Sequence, residues 1–276
     1  MIRIENLGFS YGKVPVLKNI TMSLEPGKIY GLLGENGVGK TTLLTLLCGL
    51  KKALEGGISV DGIDPYSRNP ELLAKQFYLA DEMLALPIKA ADYAKMTGEF
   101  WPNYSHDMFL EIMELFENDP QKKLIAMSAG QLKKAYISLA LALGCRYIYL
   151  DEPTNGLDIP SKAQFRSALM KYTSEDSTIV ISTHQVRDLE NIIDPIIILD
   201  RQEVLLNADV ETISEKLYFD YGTELHPESL YSEQLPGGFI QVYPNADGRE
   251  SKVNIEALFN AVHKNKELIK GLFAIK

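Results

Sequence analysis

A glycine-rich run, "GENGVGKT" at residues 34–41, ends in a lysine and a threonine. Loops with the spacing G-x-x-x-x-G-K-T bind nucleotide phosphates when a strand precedes them and a helix follows them. Here the run is preceded by an apolar stretch typical of a strand and followed by one typical of a helix. The glycines allow the backbone to approach phosphate oxygens, and the loop N–H groups and helix N-terminus favour an anion. We predict that Lys40 bridges the β- and γ-phosphates and that Thr41 coordinates Mg²⁺. The predicted phosphate-binding residues are Gly34, Glu35, Asn36, Gly37, Val38, Gly39, Lys40, Thr41 and Thr42.

Two adjacent carboxylates, Asp151 and Glu152, follow four apolar residues in "YIYLDEPTNGLD". In open α/β sheets, ligands bind at the carboxyl ends of such strands. Asp151 suits Mg²⁺, directly or through water, and Glu152 suits the positioning of an attacking water, as phosphoryl transfer requires. A purely structural role, capping the following turn, fits Asp151 alone but fits the pair poorly.

A histidine, His184, also follows a buried strand, "TIVIST". A lone histidine is usually structural, but this one shares the chain with a phosphate-binding loop and a carboxylate pair at other strand ends. We predict that His184 hydrogen-bonds the γ-phosphate and the catalytic water. Lys40, Glu152 and His184 form the predicted catalytic set.

A second small-residue run, Ser128, Ala129 and Gly130 in "MSAGQ", stands directly before a long apolar helical stretch. One serine at the N-cap would suffice to begin a helix. The additional open backbone at this helix start therefore indicates a bound anion.

The elements around these motifs indicate an α/β fold. Apolar strands alternate with helices, which predicts a largely parallel sheet covered on both faces. Two alternating strands come first, and residues 84–126 have a helical pattern. After residue 207 the sequence pattern changes, and it predicts a helix, a strand and an amphipathic helix. The last of these places Ile255, Leu258, Phe259 and Val262 on one face.

Composition, net charge and cysteine content restrict the classes of function that this chain can have. The chain has 276 residues, 46% hydrophobic and 24% charged, which is an ordinary globular composition. The net charge of −9 argues against a general nucleic-acid binder. We expect no membrane span and no signal peptide, because the apolar runs are too short and the N-terminus has the wrong layout. The two cysteines, Cys48 and Cys145, lie in apolar contexts and are predicted to be buried thiols of a cytosolic protein.

Taken in order, these motifs resemble those of the ATP-binding-cassette (ABC) ATPases over about residues 1–206. "GENGVGKTT" is similar to the Walker A loop, "YIYLDE" to Walker B with its catalytic glutamate, and "NGLD" to the D-loop. His184 resembles the switch histidine. "FSYGK" places Tyr11 where the family stacks an aromatic ring on adenine.

The resemblance implies a P-loop NTPase with a RecA-like core. It implies an N-terminal antiparallel β subdomain and an inserted helical subdomain at about residues 83–145. The ABC ATPase domain would then span residues 1–207, followed by a small C-terminal α+β extension at residues 208–276. The implied cofactors are ATP and Mg²⁺.

"MSAGQ" resembles the family's LSGGQ signature, which binds the ATP held by the other subunit of a head-to-tail dimer. The resemblance therefore implies a second ABC ATPase subunit, in a homo- or heterodimer, whose ATP is contacted by Ser128, Gly130 and Gln131. Ala129 replaces the first signature glycine. Asp81, in "YLADE", stands where the family usually has a glutamine that reaches Mg²⁺, so its role as a metal ligand is doubtful.

The resemblance also implies a partner in the membrane. We expect an ATPase subunit that powers a separately encoded permease, lying in the cytoplasm against the inner face of the membrane, with export favoured over import. The helical subdomain would receive the permease. The alternatives are an importer ATPase and a soluble ABC protein acting on the ribosome or DNA. The single cassette, the short spacing between Walker motifs and the acidic charge disfavour the soluble types, so no nucleic-acid partner is expected.

Overall fold

A computed structural model describes residues 1–273 of the chain, and residues 274–276, the end of the predicted C-terminal extension, lie outside this description. The strands are β1 (Ile2–Tyr11), β2 (Val14–Leu24), β3 (Ile29–Leu33), β4 (Glu55–Val60), β5 (Gln76–Leu79), β6 (Tyr147–Asp151), β7 (Thr178–Thr183), β8 (Ile196–Asp200), β9 (Glu203–Ala208), β10 (Leu217–Gly222), β11 (Tyr231–Leu235) and β12 (Gly238–Pro244). The α-helices are α1 (Lys40–Leu47), α2 (Pro70–Leu73), α3 (Ala90–Gly98), α4 (His106–Leu115), α5 (Ala129–Ala142), α6 (Ile159–Tyr172), α7 (Val210–Lys216), α8 (Ile255–Lys264) and α9 (Lys266–Leu272).

The central sheet has the strand order β5-β6-β7-β3-β8-β9. Its first five strands are parallel, and β9 pairs antiparallel with β8 at the edge. Strands β6, β7 and β8 are buried along their whole length, because both faces of the sheet are covered. The predicted α/β fold class with a mostly parallel sheet is confirmed.

Two hydrophobic clusters lie on opposite faces of this sheet. Tyr147 and Tyr149 of β6 belong to the cluster that contains α1 and the N-terminal strands. Ile148 and Leu150, which alternate with them, belong to the cluster that contains α4, α5 and α6. The sheet is therefore the middle layer of the molecule, and its carboxyl edge opens between the two covering layers.

The N-terminal strands form a separate antiparallel sheet in the order β2-β1-β4. Ile2 of β1 pairs with Leu24 on one side and with Val60 on the other. These apolar side chains pack toward α1, and this contact fixes the position of the helix that follows the glycine-rich loop. The predicted N-terminal antiparallel subdomain is confirmed.

The helices α3, α4 and α5 pack together beside β5. Ser105 caps α4 through its side chain, which accepts a hydrogen bond from the Met108 N–H at 3.1 Å. The indole Nε1 of Trp101, between α3 and α4, donates to the carbonyl of Gln76 at 3.1 Å. The helical pattern of residues 84–126 is thus realised as two α-helices linked by turns. The bounds of the helical subdomain, 83–145, stay a prediction.

The C-terminal residues fold into a sheet of order β10-β12-β11 with α7, α8 and α9. The predicted apolar face of α8 is confirmed: Ile255, Leu258 and Val262 are buried, and Phe259 packs half-buried against them. Strands β9, β10 and β11 and helix α9 were not predicted. The domain boundary at residue 207 also stays a prediction.

Two further sequence expectations concern burial and membrane insertion. Cys48 and Cys145 are both buried free thiols, and burial raises their pKa values to about 11 and about 12. Among residues 1–273, none of the helices combines the length and apolar character needed to cross a bilayer.

Candidate active site

The glycine-rich loop joins β3 to α1 at the carboxyl edge of the central sheet. Gly37 and Gly39 have positive φ angles, +81° and +114°. A Cβ at Gly39 would lie 2.9 Å from Val16 Cγ1, so the loop rests on β2 too closely for any other residue. Helix α1 begins at Lys40 without a side-chain cap, which leaves its first N–H groups available for an anion.

The side chain of Lys40 is buried inside the loop. Its Nζ donates to the carbonyl oxygens of Gly34 at 2.7 Å and of Glu35 at 3.2 Å. The same ammonium group lies 3.5 Å from Glu152 Oε1. Lys40 therefore stands between the loop and the predicted catalytic carboxylate.

The other predicted residues of the loop differ in exposure. Glu35, Asn36, Gly37 and Thr41 are exposed, Val38 is half-buried, and Gly34 and Thr42 are buried. The exposed residues leave a loop backbone that a ligand can reach from solvent. Buried Gly34 lacks room for a side chain, because a Cβ there would lie 2.6 Å from the Leu199 carbonyl oxygen.

Asp151, at the end of β6, accepts hydrogen bonds from three hydroxyl groups. Thr41 Oγ1 donates to Oδ2 at 2.6 Å, Tyr78 donates to the same oxygen at 3.2 Å, and Ser182 Oγ donates to Oδ1. Burial, together with the negative charge of Asp151, raises the pKa of the Tyr78 hydroxyl well above its usual value. Tyr78 therefore stays protonated and acts as a donor.

Thr41 and Asp151 supply a hydroxyl and a carboxylate oxygen side by side, which are donors that Mg²⁺ accepts. Within residues 1–273 there is no cluster of three or more His, Cys, Asp or Glu side chains able to hold a metal alone. Mg²⁺ is usually bound by one or two protein oxygens together with water and substrate phosphates.

Glu152 follows Asp151 with φ +47°, a left-handed conformation that is uncommon for a residue with a side chain. Its N–H donates to the carbonyl and to Oγ of Ser182, each at 3.1 Å. Its carboxylate points to His184, whose Nδ1 lies 3.0 Å from Oε2 and whose backbone N–H lies 3.4 Å from the same oxygen. The strained backbone thus aims the carboxylate between Lys40 and His184.

His184 follows β7, the strand beside β6, and its side chain is 35% exposed. The structure therefore brings the three predicted catalytic residues to one point: Lys40 and His184 lie on either side of Glu152. Their placement at the carboxyl edge of adjacent strands agrees with the chemistry predicted for them.

Tyr11, at the end of β1, is 49% exposed and lies beside α1. Its hydroxyl is 3.2 Å from Thr42 Oγ1, and Lys51 Nζ lies 4.9 Å from the centre of its ring. An exposed ring next to the phosphate-binding loop is placed where a base can stack.

The run "MSAGQ" forms the start of α5, with Ser128 as N-cap. Ser128 Oγ accepts from the Gln131 N–H, and Gln131 Oε1 accepts from the Ser128 N–H, each at 3.2 Å. Gln131 Oε1 also accepts from Lys122 Nζ at 2.9 Å. Ala129 is the first helical residue, so its methyl group meets no left-handed backbone. Ser128 is exposed and Gly130 is half-exposed. The side-chain oxygen of Gln131 is hydrogen-bonded to Ser128 and Lys122 of the same chain.

Asp81 lies just beyond β5, and its Oδ1 accepts from Lys133 Nζ at 2.8 Å. Among the described residues, its hydrogen bonds and ion pairs include neither Thr41 nor Asp151. Asp81 is the one predicted metal-site residue that the structure pairs elsewhere, with a lysine of α5.

Three residues at the site were not predicted: Tyr78, Ser182 and Lys133. Ser182 could have been found, because a serine at the end of the apolar run "TIVIS" has no place in a buried strand unless it bonds a polar group. Tyr78 and Lys133 carry no such signal, since each sits in a sequence that fits an ordinary strand or helix.

Comparison with known proteins gives a consistent result. The family model described as ABC transporter matches residues 17–155. An uncharacterised ABC transporter ATP-binding protein of Methanocaldococcus jannaschii is 30% identical, over 85% of this chain and 88% of that protein. The lantibiotic transport ATP-binding protein SrtF of Streptococcus pyogenes is 28% identical, over 76% of this chain and 92% of its own. The methionine import ATP-binding protein MetN of Clostridioides difficile is 26% identical, over 100% of this chain and 92% of its own.

Solved structures agree with the fold. An ATP-binding subunit of an ABC transporter superposes with a TM-score of 0.70 at 20% identity, covering 77% of this chain and 91% of its own. The dimeric ATP-binding cassette MJ0796, bound to ADP and Pi, superposes with a TM-score of 0.66 at 23% identity, covering 76% of this chain and 98% of its own.

Proposed function

Because this chain belongs to the ABC transporter family of ATP-binding proteins, we propose that it hydrolyses ATP and thereby powers a separately encoded membrane permease. The observation that carries the proposal is the position of Glu152, whose carboxylate lies 3.5 Å from Lys40 Nζ and 3.0 Å from His184 Nδ1 at the mouth of the glycine-rich loop.

ATP binding uses the loop, the start of α1 and the exposed ring of Tyr11. The backbone N–H groups from Gly34 to Thr42 and the Lys40 ammonium group hold the phosphates, while Tyr11 stacks on the adenine. Thr41 and Asp151 would hold Mg²⁺, which when bound would neutralise charge on the phosphates. Asp81 is not needed for this set.

In hydrolysis, the oxygen of a water molecule attacks the γ-phosphorus and the bond to the β–γ bridging oxygen breaks, so that ADP leaves with the bond's electron pair. Glu152 orients this water and accepts one of its protons as the oxygen bonds to phosphorus, and that proton leaves with the inorganic phosphate. His184 donates to the γ-phosphate and holds the Glu152 carboxylate. The products are ADP and inorganic phosphate.

The start of α5 supports a head-to-tail dimer, homo- or heteromeric. Ser128 is exposed, and its hydrogen bonds in the described chain are with Gln131 and Leu132 of the same helix, not with the glycine-rich loop. The helix N-terminus and the Ser128 hydroxyl are thus free to bind the γ-phosphate held by a second subunit. Gly130 lies beside Gly156 of "NGLD", the D-loop segment.

The permease is proposed to dock on the helical segment. Leu84, Met96 and Phe100 are large apolar side chains that are 71%, 60% and 79% exposed there. A cavity of about 520 Å³ lies beside Phe100, between Trp101, Phe77 and Arg68. An exposed apolar surface next to a cavity suits a protein partner, and docking would hold the chain at the inner face of the membrane.

We favour export, because the compact cassette with a short C-terminal extension resembles exporter ATPases, and because SrtF is named for lantibiotic transport. Import is the second candidate, and one observation favours it: the match to the methionine import protein MetN covers the whole chain.

The test is a pull-down of tagged full-length chain from detergent-solubilised membranes with ATP present, using Glu152→Gln to retain the ATP-bound state and Lys40→Ala as control. A polytopic membrane protein recovered in near-stoichiometric amount with the first variant supports the proposal, and the permease sequence then indicates direction. Recovery of ribosomal or DNA-associated proteins without a permease contradicts the transport function.

A further inference from the structure

Lys133 is a lysine of α5 that is almost completely buried, at 7% exposed. It lies five residues after the N-cap Ser128, on the helix whose start is proposed to bind the partner's nucleotide. A buried ammonium group is costly unless acceptors surround it. Its acceptors are therefore what fix its position.

Two acceptors hold the Lys133 ammonium group, and they belong to different parts of the site. Nζ donates to the backbone carbonyl of Glu152 at 3.0 Å and to Oδ1 of Asp81 at 2.8 Å. The first acceptor is the peptide group of the predicted catalytic residue. The second is the carboxylate of the loop that follows β5.

The bond to the Glu152 carbonyl falls on a strained piece of backbone. Glu152 has φ +47°, and its N–H is already held by Ser182. The carbonyl oxygen at the other end of the same residue accepts from Lys133 Nζ at 3.0 Å and from the Asn155 N–H at 3.1 Å. With both its N–H and its carbonyl fixed, Glu152 keeps a left-handed backbone that aims its carboxylate at His184 and Lys40.

Asp81 is the charge partner that keeps Lys133 in place. The ammonium group would otherwise be buried against a single neutral carbonyl. The side chain of Asp81 is 41% exposed, so a change there alters the pair without opening the core. The carboxylate at position 81 thus supplies a negative charge beside the buried ammonium group.

We propose that Lys133 is a positioning residue for ATP hydrolysis, which holds Glu152 through its backbone carbonyl and is itself held by Asp81. The inference rests on the proposed ATPase function.

The test compares Lys133→Met with Lys134→Met in the purified full-length chain. The control removes the neighbouring lysine of the same helix, whose Nζ donates to the Phe116 carbonyl at 3.1 Å. We expect Lys133→Met to lower kcat by about 10- to 100-fold, the effect of misplacing a catalytic group, with an unchanged Kd for ATP. Lys134→Met should keep the parent kcat.

Asp81→Asn provides the second variant, since a partly exposed residue can be changed without unfolding the chain. Loss of this ion pair should lower kcat by about two- to fivefold. Adding Asp81→Asn to Lys133→Met should cause no further fall, because Asp81 acts through Lys133. Lys133→Gln, which retains a donor, should give a kcat between those of Lys133→Met and the parent.

Three results would overturn the inference: parent kcat in Lys133→Met, a loss of ATP binding and thermal stability in parallel with kcat, or additive effects in the double variant. If Lys133→Met does not fold, parent kcat in both Asp81→Asn and Lys133→Gln also overturns it. A parent chain without ATPase activity, or Glu152→Gln at the parent rate, would overturn the proposed function itself.

Discussion

Charged side chains are used differently in two regions of this molecule. The first region is the catalytic edge, which is formed by Lys40, Thr41, Asp151, Glu152 and His184. There the Glu152 carboxylate lies 3.5 Å from Lys40 Nζ and 3.0 Å from His184 Nδ1, and the backbone of Glu152 is left-handed. Their arrangement follows from the chemistry they are proposed to perform, and a substrate phosphate can replace some of these partners.

In the C-terminal unit, residues 208–273, the charges join one part of the fold to another. Lys266 of α9 pairs with buried Asp200 of β8, which His263 of α8 also approaches at 3.8 Å. Lys270 pairs with Glu203 of β9 at 2.6 Å. Each of these two lysines has a carboxylate partner on the central sheet, and neither lies in a glycine-rich loop.

The two regions meet at a cavity of about 280 Å³, which Gly34 and His184 line from one side and Phe259 and Asn260 of α8 from the other. The two regions are neighbours, so their different uses of charged side chains do not come from a large distance between them. Contacts at the catalytic edge should control rate, and contacts of the C-terminal unit should control stability. Four substitutions test this difference, from the largest expected effect to the smallest.

Glu152→Gln should lower kcat by about 10²- to 10⁴-fold, because the amide cannot accept the water's proton, while ATP affinity is retained. The variant should also accumulate as an ATP-dependent dimer. Steady-state phosphate release and light scattering with and without ATP measure the two effects. Hydrolysis at the parent rate would show that Glu152 is not the catalytic carboxylate.

Lys40→Ala should weaken ATP binding by roughly 10- to 100-fold, the cost of losing a charge-assisted hydrogen bond to phosphate. Calorimetric titration with ATP measures the affinity, and circular dichroism checks that the fold is retained. Unchanged affinity would contradict the assignment of the glycine-rich loop.

Lys266→Met should reduce the free energy of unfolding by roughly 1–3 kcal/mol, because the buried Asp200 carboxylate loses its ammonium donor. Its KM for ATP should not change. Urea denaturation gives the stability, with Lys264→Met as control on the neighbouring helix. A change in kcat without a change in stability would contradict the claim that contacts of the C-terminal unit control stability and not rate.

Arg187→Ala should have the smallest effect, a slight decrease in the free energy of unfolding, because the pair it forms with Glu256 is exposed to solvent. Arg187 Nε donates to Glu256 Oε2 at 2.6 Å and links the segment after His184 to α8. The effect should disappear at high salt, which screens exposed pairs. A loss of stability that persists in 1 M salt would contradict this explanation.

Much of the catalytic edge could be predicted from local sequence. The glycines of the loop, the "DE" pair and His184 each stand at the end of an apolar strand, so spacing and hydrophobicity locate them without a structure. The C-terminal unit was less predictable. Strand β10 has two buried residues and β11 has none, and each carries a charged residue, so their pattern does not separate a strand from a loop.

The sequence by itself determined the α/β class and the glycine-rich loop, and it supplied the residues proposed to hold Mg²⁺ and position water, because these depend on residue type and spacing within one element. The tertiary structure decided which residues share the site. Strand order placed β7 beside β6, and so His184 beside Glu152, while the packing of α5 brought Lys133 to Asp81 across 52 positions of sequence. Such contacts depend on how elements pack, and a pattern within one element carries no information about its neighbours.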